Sequence, residues 1–273
     1  MAQIGVRGTE GSVKTEGLKE FLYERRKVLL GFASVISFFV FWEAIFEFVE
    51  LQQLFMTKPS LIAAAFVAMV ENGELINDIG VSGAPFFIGF LSAAFVGVLF
   101  GIVMGWRTRV GYALDPLMTA LYASPLVAIA PLMIIFFGVG IAGKAILIFV
   151  LCVFPFMFNA FAGVKSVDPL LINVVRSLGG RERDLYLKVI VPSVLPYLVA
   201  GARYAVGRGL VGVIVGEFYA ATAGIGYRIA WFSDMFEISR MFVCIITMMV
   251  IAVLFTEGIR WAERSAFPWR VGE

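Results

Sequence analysis

The chain has 273 residues, of which 60% are hydrophobic and 15% charged, with a formal net charge of +2 and a mean hydropathy of +0.92. Because soluble domains carry about a quarter charged residues, this composition excludes an ordinary soluble protein and predicts an integral membrane protein. There is no histidine, which removes His-based catalysis and proton relays. The only cysteines, Cys152 and Cys244, lie far apart in apolar runs, so we expect packing roles for both and no metal site.

Six stretches are long and apolar enough to cross a bilayer, which takes about 20 residues in a helix. The predicted spans are 28–49, 84–106, 116–138, 142–163, 194–217 and 240–260. The first is too long for a signal peptide and has no small-residue cleavage site behind it, so we interpret it as a span. Pro125 and Pro131 predict a kink or break in the third span. Arg203 and Arg208 make the fifth span unusual.

Basic residues predict the orientation of these spans. With the N-terminus in the cytoplasm, the internal segments hold 16 of the 22 Lys and Arg residues and the external segments hold 4. We therefore predict a multi-pass protein with both termini cytoplasmic.

Two stretches outside the spans divide the chain further. Residues 56–82 are predicted to form short external helices after Pro59, and 164–193 a cytoplasmic helix–turn–helix interrupted at Gly179-Gly180. The predicted organisation has four parts: a cytoplasmic segment 1–27, a first span with an external segment at 28–82, a core at 83–262, and a tail at 263–273.

The segment 164–193 also contains a spaced motif. Gly179 is followed ten residues later by Val189, and then by Val191-Pro192. This spacing resembles the cytoplasmic signature of binding-protein-dependent ABC importer permeases, written EAA, three residues, G, nine residues, I, one residue, LP.

Further residues resemble the nitrate, sulfonate, taurine and bicarbonate branch of that family, over about residues 80–230. They are Asp115-Pro116, Ser124-Pro125, Ala130-Pro131-Leu132, Phe137-Gly138-Val139-Gly140, Lys144, Phe154-Pro155, Asn159, Gly163, Asp168, Arg176-Ser177-Leu178-Gly179, Leu195-Pro196, Gly201, Arg203, Glu217 and Gly224-Ile225-Gly226.

The chain departs from the pattern at three places. Asn173-Val174-Val175 stands for the Glu-Ala-Ala triplet, so its acidic residue is missing. Gly180 replaces the usual alanine, and Pro85 stands where the branch commonly has a basic residue. These differences concern the electrostatics of docking and leave the choice of ATPase partner open.

The resemblance implies an all-α permease of the type I ABC importer kind in the bacterial inner membrane. Its expected partners are a cytoplasmic ABC ATPase dimer, a periplasmic or extracellular solute-binding protein docking on 50–82 and 218–239, a second permease copy and the lipid bilayer, with no nucleic acid. The chain would bind no cofactor itself, and ATP and Mg would lie on the ATPase. No P-loop sequence is present, so we predict a transport subunit that is not an enzyme. The solute would be a small organic or inorganic anion.

Two sets of site residues follow. The predicted ATPase-coupling residues are Asn173, Arg176, Ser177, Leu178, Gly179, Gly180, Arg181, Glu182 and Pro192. A short amphipathic helix would supply apolar side chains to a groove, the glycines would allow a turn with positive φ, and the charges would set orientation. The alternative is a basic loop lying on anionic headgroups.

The residues predicted for the translocation path or gate are Pro125, Pro131, Asn159, Arg203, Arg208 and Glu217. The arginines could line a path for an anion, or could instead snorkel or pair with acids and carbonyls. Glu217 fits a gate or an interfacial role equally. The glycines of the second and fifth spans, including Gly212 and Gly216, predict close helix packing.

One alternative function is an ion-gradient-driven secondary transporter. That class favours internal repeats and acids at mid-depth in the membrane, and the sequence has no convincing repeat. A membrane-embedded enzyme would need a nucleophile–base pair or clustered metal ligands, and the sequence offers neither.

Overall fold

The computed structural model describes residues 29–46 and 56–266. The predicted cytoplasmic segment 1–27, positions 28 and 47–55, and residues 267–273 lie outside these ranges. The chain divides into two units, one ending at Ala64 and the other beginning at Ala65. All regular elements in the described ranges are helical.

The helices are, in chain order, α1 (Leu29–Phe46), α2 (Pro59–Glu71), α3 (Glu74–Trp106), α4 (Thr108–Ala123), α5 (Ala130–Phe137), α6 (Ile141–Lys165), α7 (Pro169–Ser177), α8 (Glu182–Leu185), α9 (Val191–Ala220), α10 (Ile225–Asp234) and α11 (Ile238–Ala266). A 3₁₀ turn, Leu126–Ile129, precedes α5, and a π-helical turn, Tyr186–Ile190, joins α8 to α9.

Five helical segments of the described chain are long and apolar enough to cross a membrane, and a sixth is possible if α4 and α5 form one broken span. The five are α1, α3, α6, the continuous segment Glu182–Tyr219, and α11. The predicted all-α fold with about six spans is therefore confirmed.

The structure divides the predicted segment 56–82 differently from the expected short helices, and the external position of the segment stays a prediction. α2 is the expected short helix, but α3 begins at Glu74 and runs through Pro85 without a break. Two polar residues in the first part of α3, Asp78 and Ser82, are only 1% and 5% exposed. Their polar groups have partners inside the protein, so the helix continues past the point where hydropathy alone would end it.

The predicted third span is broken at Pro125, as expected. α4 ends at Ala123, and the segment from Leu126 onward leaves at an angle of 80°. Pro131 does not add a second break, because it lies in the first turn of α5, where a missing N–H leaves no hydrogen bond unmade.

α6 is the central helix of the unit that begins at Ala65. Of its most apolar stretch, 56% is buried, against 28% for α3 and 17% for α11. The helix α3 approaches it closely through glycines: a Cβ added to Gly97 would lie 2.6 Å from the Val153 carbonyl oxygen. On the other side, a Cβ on Gly212 of α9 would lie 3.0 Å from Leu151 Cδ1. The packing role predicted for these glycines is confirmed.

Both cysteines are buried and free, as the packing interpretation predicts. The Cys152 thiol donates a hydrogen bond to the Ala205 carbonyl at 3.3 Å, which links α6 to α9.

The chain is helical through Pro192, which precedes the predicted fifth span. It forms one helix from Glu182 to Tyr219, in which the Val191 N–H donates to the Tyr186 carbonyl, five residues earlier. Pro192 has no N–H, and its ring would collide with the carbonyl four residues before it in a regular α-helix. The wider π turn avoids this collision and keeps the helix continuous.

Candidate functional site

The predicted coupling segment begins with α7, a short helix held at both ends. The Asp168 carboxylate accepts a hydrogen bond from the Leu170 N–H at 2.8 Å, and Pro169 occupies the first position. An N-cap acid followed by proline is favourable because the first N–H groups of a helix lack partners within it. The start of α7 is therefore defined by its own sequence.

The end of α7 is a tight glycine turn. The Gly179 N–H donates to the Arg176 carbonyl at 3.0 Å, and the Gly180 N–H donates to the Val175 carbonyl at 2.9 Å. These two bonds form a Schellman motif, which requires the positive φ of 74° that Gly179 adopts. A Cβ on Gly180 would lie 2.5 Å from Val175 Cγ1. The alanine expected at position 180 from the resemblance therefore does not fit this turn.

One side of α7 is an exposed apolar stripe, formed by Leu170, Leu171, Val174 and Leu178. Their exposed fractions are 64%, 48%, 47% and 82%. At about 100° per residue these four side chains fall within roughly 100° of arc. A contiguous apolar surface of this kind, rimmed by charged residues, is typical of a protein-interaction site.

The structure places the predicted coupling residues 173–182 in α7, in the turn after it and at the start of α8. All of them except the half-buried Gly180 are exposed. Pro192 lies apart from them, in the first turn of α9. It shapes the π turn and does not share their surface.

The start of α8 contacts the end of α3. Arg107 and Glu182 form an ion pair of 3.8 Å between two largely exposed side chains. Beside it the rings of Trp106 and Tyr186 are 5.2 Å apart. The coupling segment is thus joined to α3 by one weak ion pair and one aromatic contact.

A second polar site lies where α9 meets α10, and Glu217 is at its centre. Glu217 is fully buried. The Lys144 ammonium of α6 is 3.5 Å from its carboxylate, and the Ser82 hydroxyl of α3 donates to it at 3.0 Å. The Gly226 N–H also donates to it, at 2.8 Å. The carboxylate therefore joins three long helices to the first turn of α10.

Asp78 of α3 completes this buried polar cluster. Its carboxylate accepts hydrogen bonds from the Gly224 N–H at 3.0 Å and from Arg228 Nε at 2.7 Å. The Ile225 N–H donates to the Ser82 hydroxyl at 2.9 Å. The N–H groups of Gly224, Ile225 and Gly226 at the start of α10 thus donate to side chains of α3 and α9. Carboxylates at a helix N-terminus are also favoured by the helix dipole.

The charges of this cluster balance. Asp78 and Glu217 face Lys144 and Arg228, so two negative charges meet two positive ones. Burial alone would lower the pKa of the Arg228 guanidinium, but its hydrogen bond to Asp78 and the Asp78 charge raise it above the ordinary value. Buried ions of this kind are tolerated because each is paired and hydrogen-bonded.

Sequence reasoning had singled out Glu217 but not Asp78 or Arg228 as partners. Glu217 was predicted to fit a gate or an interfacial role equally; it is fully buried within the protein, and its role stays a prediction. One feature of the sequence could have indicated this contact: Glu217 lies seven residues before Gly224-Ile225-Gly226. A backbone with a positive φ, as Gly224 has at 116°, turns N–H groups back toward such a carboxylate.

The two arginines of α9 have different surroundings. Arg203 lies 3.8 Å from Glu263 of α11, and both side chains are partly buried. Arg208 is exposed, and its guanidinium lies 5.5 Å from the ring centre of Tyr122 on α4. Arg203 matches the predicted alternative of pairing with an acid on a neighbouring helix. The structure does not bring the two arginines into one cluster.

The remaining path residues are not gathered around a common cavity. The Asn159 amide donates to the Pro155 carbonyl at 2.8 Å within α6. A Cβ on Gly201 would lie 3.0 Å from Asn159 Cβ, so Asn159 is at the contact of α6 with α9. Pro125 and Pro131 are both exposed beside the α4–α5 bend. Their roles in a path stay predictions.

No group of three or more His, Cys, Asp or Glu side chains within residues 29–46 and 56–266 could hold a metal ion.

Comparison with known proteins gives consistent matches. Residues 97–266 match the family described as "Binding-protein-dependent transport system inner membrane component". The chain is 30% identical over 229 residues to SsuC of Bacillus subtilis, described as an aliphatic sulfonates transport permease protein, covering 84% of this chain and 83% of that protein. It is 27% identical over 249 residues to the taurine transport system permease protein TauC of Escherichia coli, covering 89% and 90%.

A solved structure of the MetNI methionine ABC transporter, in an inward-facing conformation, superposes with a TM-score of 0.62. It is 15% identical in sequence and covers 70% of this chain and 95% of the compared chain. At that identity the likeness concerns the fold.

Proposed function

This chain belongs to the binding-protein-dependent transport system inner membrane component family, and from that membership we propose that it forms half of the membrane path of an ATP-driven importer for small anions. In this proposal the chain hydrolyses nothing itself. ATP and Mg lie on a separate ABC ATPase dimer, whose movements reach the membrane through α7 and the turn that follows it.

The observation that carries this proposal is the exposed apolar stripe of α7. Leu170 and Leu178, at its two ends, are 64% and 82% exposed on a helix fixed by its own cap and glycine turn. A protruding helix with a defined shape and an uncovered apolar side fits a groove on a partner protein. The charged residues around it, such as Arg181, set orientation and partner choice.

We further propose that α7 lies on the cytoplasmic side of a bacterial inner membrane. The junction of α9 and α10 at residues 217–228, called the elbow below, would lie on the outer side. The excess of Lys and Arg in 164–193 supports this orientation. The solute-binding protein would then dock on 50–82 and 218–239, and both termini would be cytoplasmic.

A second copy of the chain would complete the path, because each half of such a path needs a partner and one sequence supplies a homodimer most simply. An anionic solute, such as a sulfonate, accords with the names of SsuC and TauC. Arg208, which is exposed and lies beside the α4–α5 bend, is the residue proposed to meet it.

The buried carboxylates speak against an ion-gradient mechanism. Glu217 has Lys144, Ser82 and the Gly226 N–H as partners, and Asp78 has Arg228 and the Gly224 N–H. A driving cation would have to displace two paired basic side chains to reach these oxygens.

The test uses the chain expressed together with a candidate ABC ATPase from the same organism. We expect the wild-type pair to purify as a complex with ATPase activity, and Leu178→Asp to lose the complex while the permease keeps its thermal midpoint. Arg109→Gln, which also lowers the net charge by one unit and lies outside α7, is the matched control and should assemble normally. A Leu178→Asp variant that assembles like wild type would remove α7 as the docking element.

A further inference from the structure

A polar cavity of about 410 Å³ opens between α7 and the end of α3. Its lining combines two guanidinium groups with an amide, a carboxylate, an indole, a proline ring and one isoleucine side chain. The residues that matter here are Trp106, Arg107, Ile172, Asn173, Arg176 and Glu182.

The cavity lies on the opposite side of α7 from the apolar stripe. Relative to Leu170, residues 172, 173 and 176 project at about 200°, 300° and 240°, while the stripe spans about 0–100°. A partner protein that covers the stripe therefore leaves this side of α7 facing the end of α3.

The charges in the cavity leave a positive surplus. Among residues 29–46 and 56–266, Glu182 is the one acid paired with Arg107, at 3.8 Å and with both side chains more than 60% exposed, which makes the pair weak and easily exchanged. Within the described ranges no carboxylate pairs with Arg176. The Asn173 amide adds a donor where the family pattern has an acid. Two guanidiniums and an amide make a cavity suited to a phosphate, whose oxygens match the guanidinium fork.

The depth of the cavity points to the source of that phosphate. Trp106 ends the 33-residue apolar helix α3, and Arg107 follows it directly. Tryptophan beside a basic residue at the end of a span is typical of the headgroup level of a membrane, and basic pockets there bind anionic lipid headgroups. Lys165, at the end of α6, adds another positive charge at the end of a span.

We propose that this cavity binds the phosphate of an anionic phospholipid such as phosphatidylglycerol, between Arg107 and Arg176. The bound headgroup takes the place of Glu182 beside Arg107 and bridges the end of α3 to α7. It thereby steadies the coupling helix from its membrane side. This inference rests on the proposed cytoplasmic position of α7, but not on the ATPase or on the identity of the solute.

The experiment uses the full chain purified in a neutral detergent without the ATPase. Phosphatidylglycerol, phosphatidylcholine and free glycerol 3-phosphate are added separately. Retained lipid is counted by native mass spectrometry, and the thermal midpoint Tm is measured. We expect phosphatidylglycerol to raise Tm of the wild type by about 3 °C and the other two additives to leave it unchanged.

The double variant Arg107→Gln/Arg176→Gln should lose most of this rise and of the retained phosphatidylglycerol. Arg109→Gln/Arg183→Gln removes two exposed positive charges outside the cavity lining, and it should behave like wild type. Asn173→Asp, a single exposed substitution that adds a negative charge to the cavity, should weaken retention in the same direction and guards against misfolding of the double variant.

Three outcomes would overturn the inference. Equal losses in both double variants would mean that only general basic charge attracts the lipid. A shift with glycerol 3-phosphate as large as with the lipid would assign the cavity to a free phosphate. Unchanged lipid retention in Arg107→Gln/Arg176→Gln, with loss of ATPase binding in phosphatidylcholine nanodiscs, would assign it to an acidic side chain of the ATPase. A missing ATPase complex with intact lipid binding would count against the proposed function alone.

Discussion

The α7 segment and the α9–α10 elbow are both places where a long helix meets a short one, yet they are built in opposite ways. At the elbow, buried carboxylates accept hydrogen bonds from the Gly224 and Gly226 N–H groups and pair with Lys144 and Arg228. At α7, Leu170 and Leu178 stay exposed. The polar groups of the elbow find their partners within the chain, whereas the apolar surface of α7 is left uncovered.

One subunit can therefore contain both a rigid region, the elbow, and an exposed binding surface, α7. The buried polar atoms of the elbow have partners; elsewhere in the described ranges one buried side-chain oxygen, on Glu74, has none. A closed cluster of this kind resists rearrangement, because any movement would strand a charge. The exposed surface of α7 contributes little to the folding stability of the isolated chain. Its proposed contribution is to the binding of a partner. Substitutions at the two sites should therefore differ in what they damage.

Removing the central carboxylate of the elbow should have the largest effect. Glu217→Ala leaves the Lys144 ammonium and the Gly226 N–H buried without their partner, which costs about 3–5 kcal/mol of stability. In detergent this corresponds to a fall in Tm of roughly 10 °C. Glu257→Ala, which removes an exposed acid paired with Arg260, is the control and should change Tm by no more than about 2 °C.

The double variant Lys144→Met/Glu217→Gln sharpens this result. It removes both charges together, so its loss of stability should be smaller than that of Glu217→Ala, although more atoms change. A double variant that is as unstable as the sum of two single ones would mean that the ion pair is not the reason for the loss.

The apolar stripe of α7 should respond in affinity and not in stability. Leu178→Ser removes a side chain that is 82% exposed, so Tm should stay within about 1 °C of wild type. Its affinity for the ATPase should fall about thirtyfold, or about 2 kcal/mol. Titration of the purified ATPase against the chain in nanodiscs measures this. A drop in Tm with unchanged affinity for the ATPase would mean that Leu178 serves stability and not binding.

The glycine turn after α7 should have a smaller effect on stability than the elbow, because it depends on the backbone conformation of one residue. Gly179→Ala forces a Cβ into a backbone with φ of 74°, at a cost of about 1 kcal/mol. Gly207, in the helical part of α9, has a negative φ and no atom within 4 Å of an added Cβ. Gly207→Ala should therefore stabilise by about 0.5–1 kcal/mol. A lower Tm for Gly179→Ala together with a higher Tm for Gly207→Ala would support the positive φ of Gly179. Shifts of the same sign and size would contradict it.

The ion pair of Arg203 with Glu263 should have the smallest effect. It spans 3.8 Å between partly exposed side chains, so Arg203→Gln should cost less than about 1 kcal/mol. Uptake of a labelled sulfonate into proteoliposomes provides a second measurement. Unchanged Tm with reduced uptake would place Arg203 in the path, whereas an unchanged uptake would leave it as a structural pair.

The membrane spans could be predicted because each depends on a local property. Hydropathy over about 20 residues marks a span wherever it lies in the chain, and Pro125 breaks a helix through its own ring. The glycine turn after α7 is equally local, since positive φ belongs to Gly179 itself. These features needed no knowledge of neighbouring helices.

The elbow could not be predicted in the same way, because its contacts join distant residues. Ser82 and Glu217 are 135 positions apart, and Asp78 and Arg228 are 150 apart. Nothing in the local sequence shows that Asp78 and Ser82 have partners on distant helices, and the span was predicted to begin at 84, whereas α3 begins at Glu74. Only the arrival of α9 and α10 converts them into buried partners. The exposed path residues stay undetermined for a related reason, since a second chain would decide what they face.

The π turn at Tyr186–Ile190 has a consequence for how this chain can change in length. Each residue advances an α-helix by about 100° of rotation and 1.5 Å. Deleting or inserting one residue between Leu185 and Val194 would therefore turn the whole of α9 by that angle. Gly201 and Gly212 would leave their positions against α6, and Glu217 would rotate away from Lys144. The five residues of the π turn thus set the rotation of all 30 residues of α9 about its axis. A deletion or insertion of one residue should therefore be tolerated far better just before Pro169 than within the π turn.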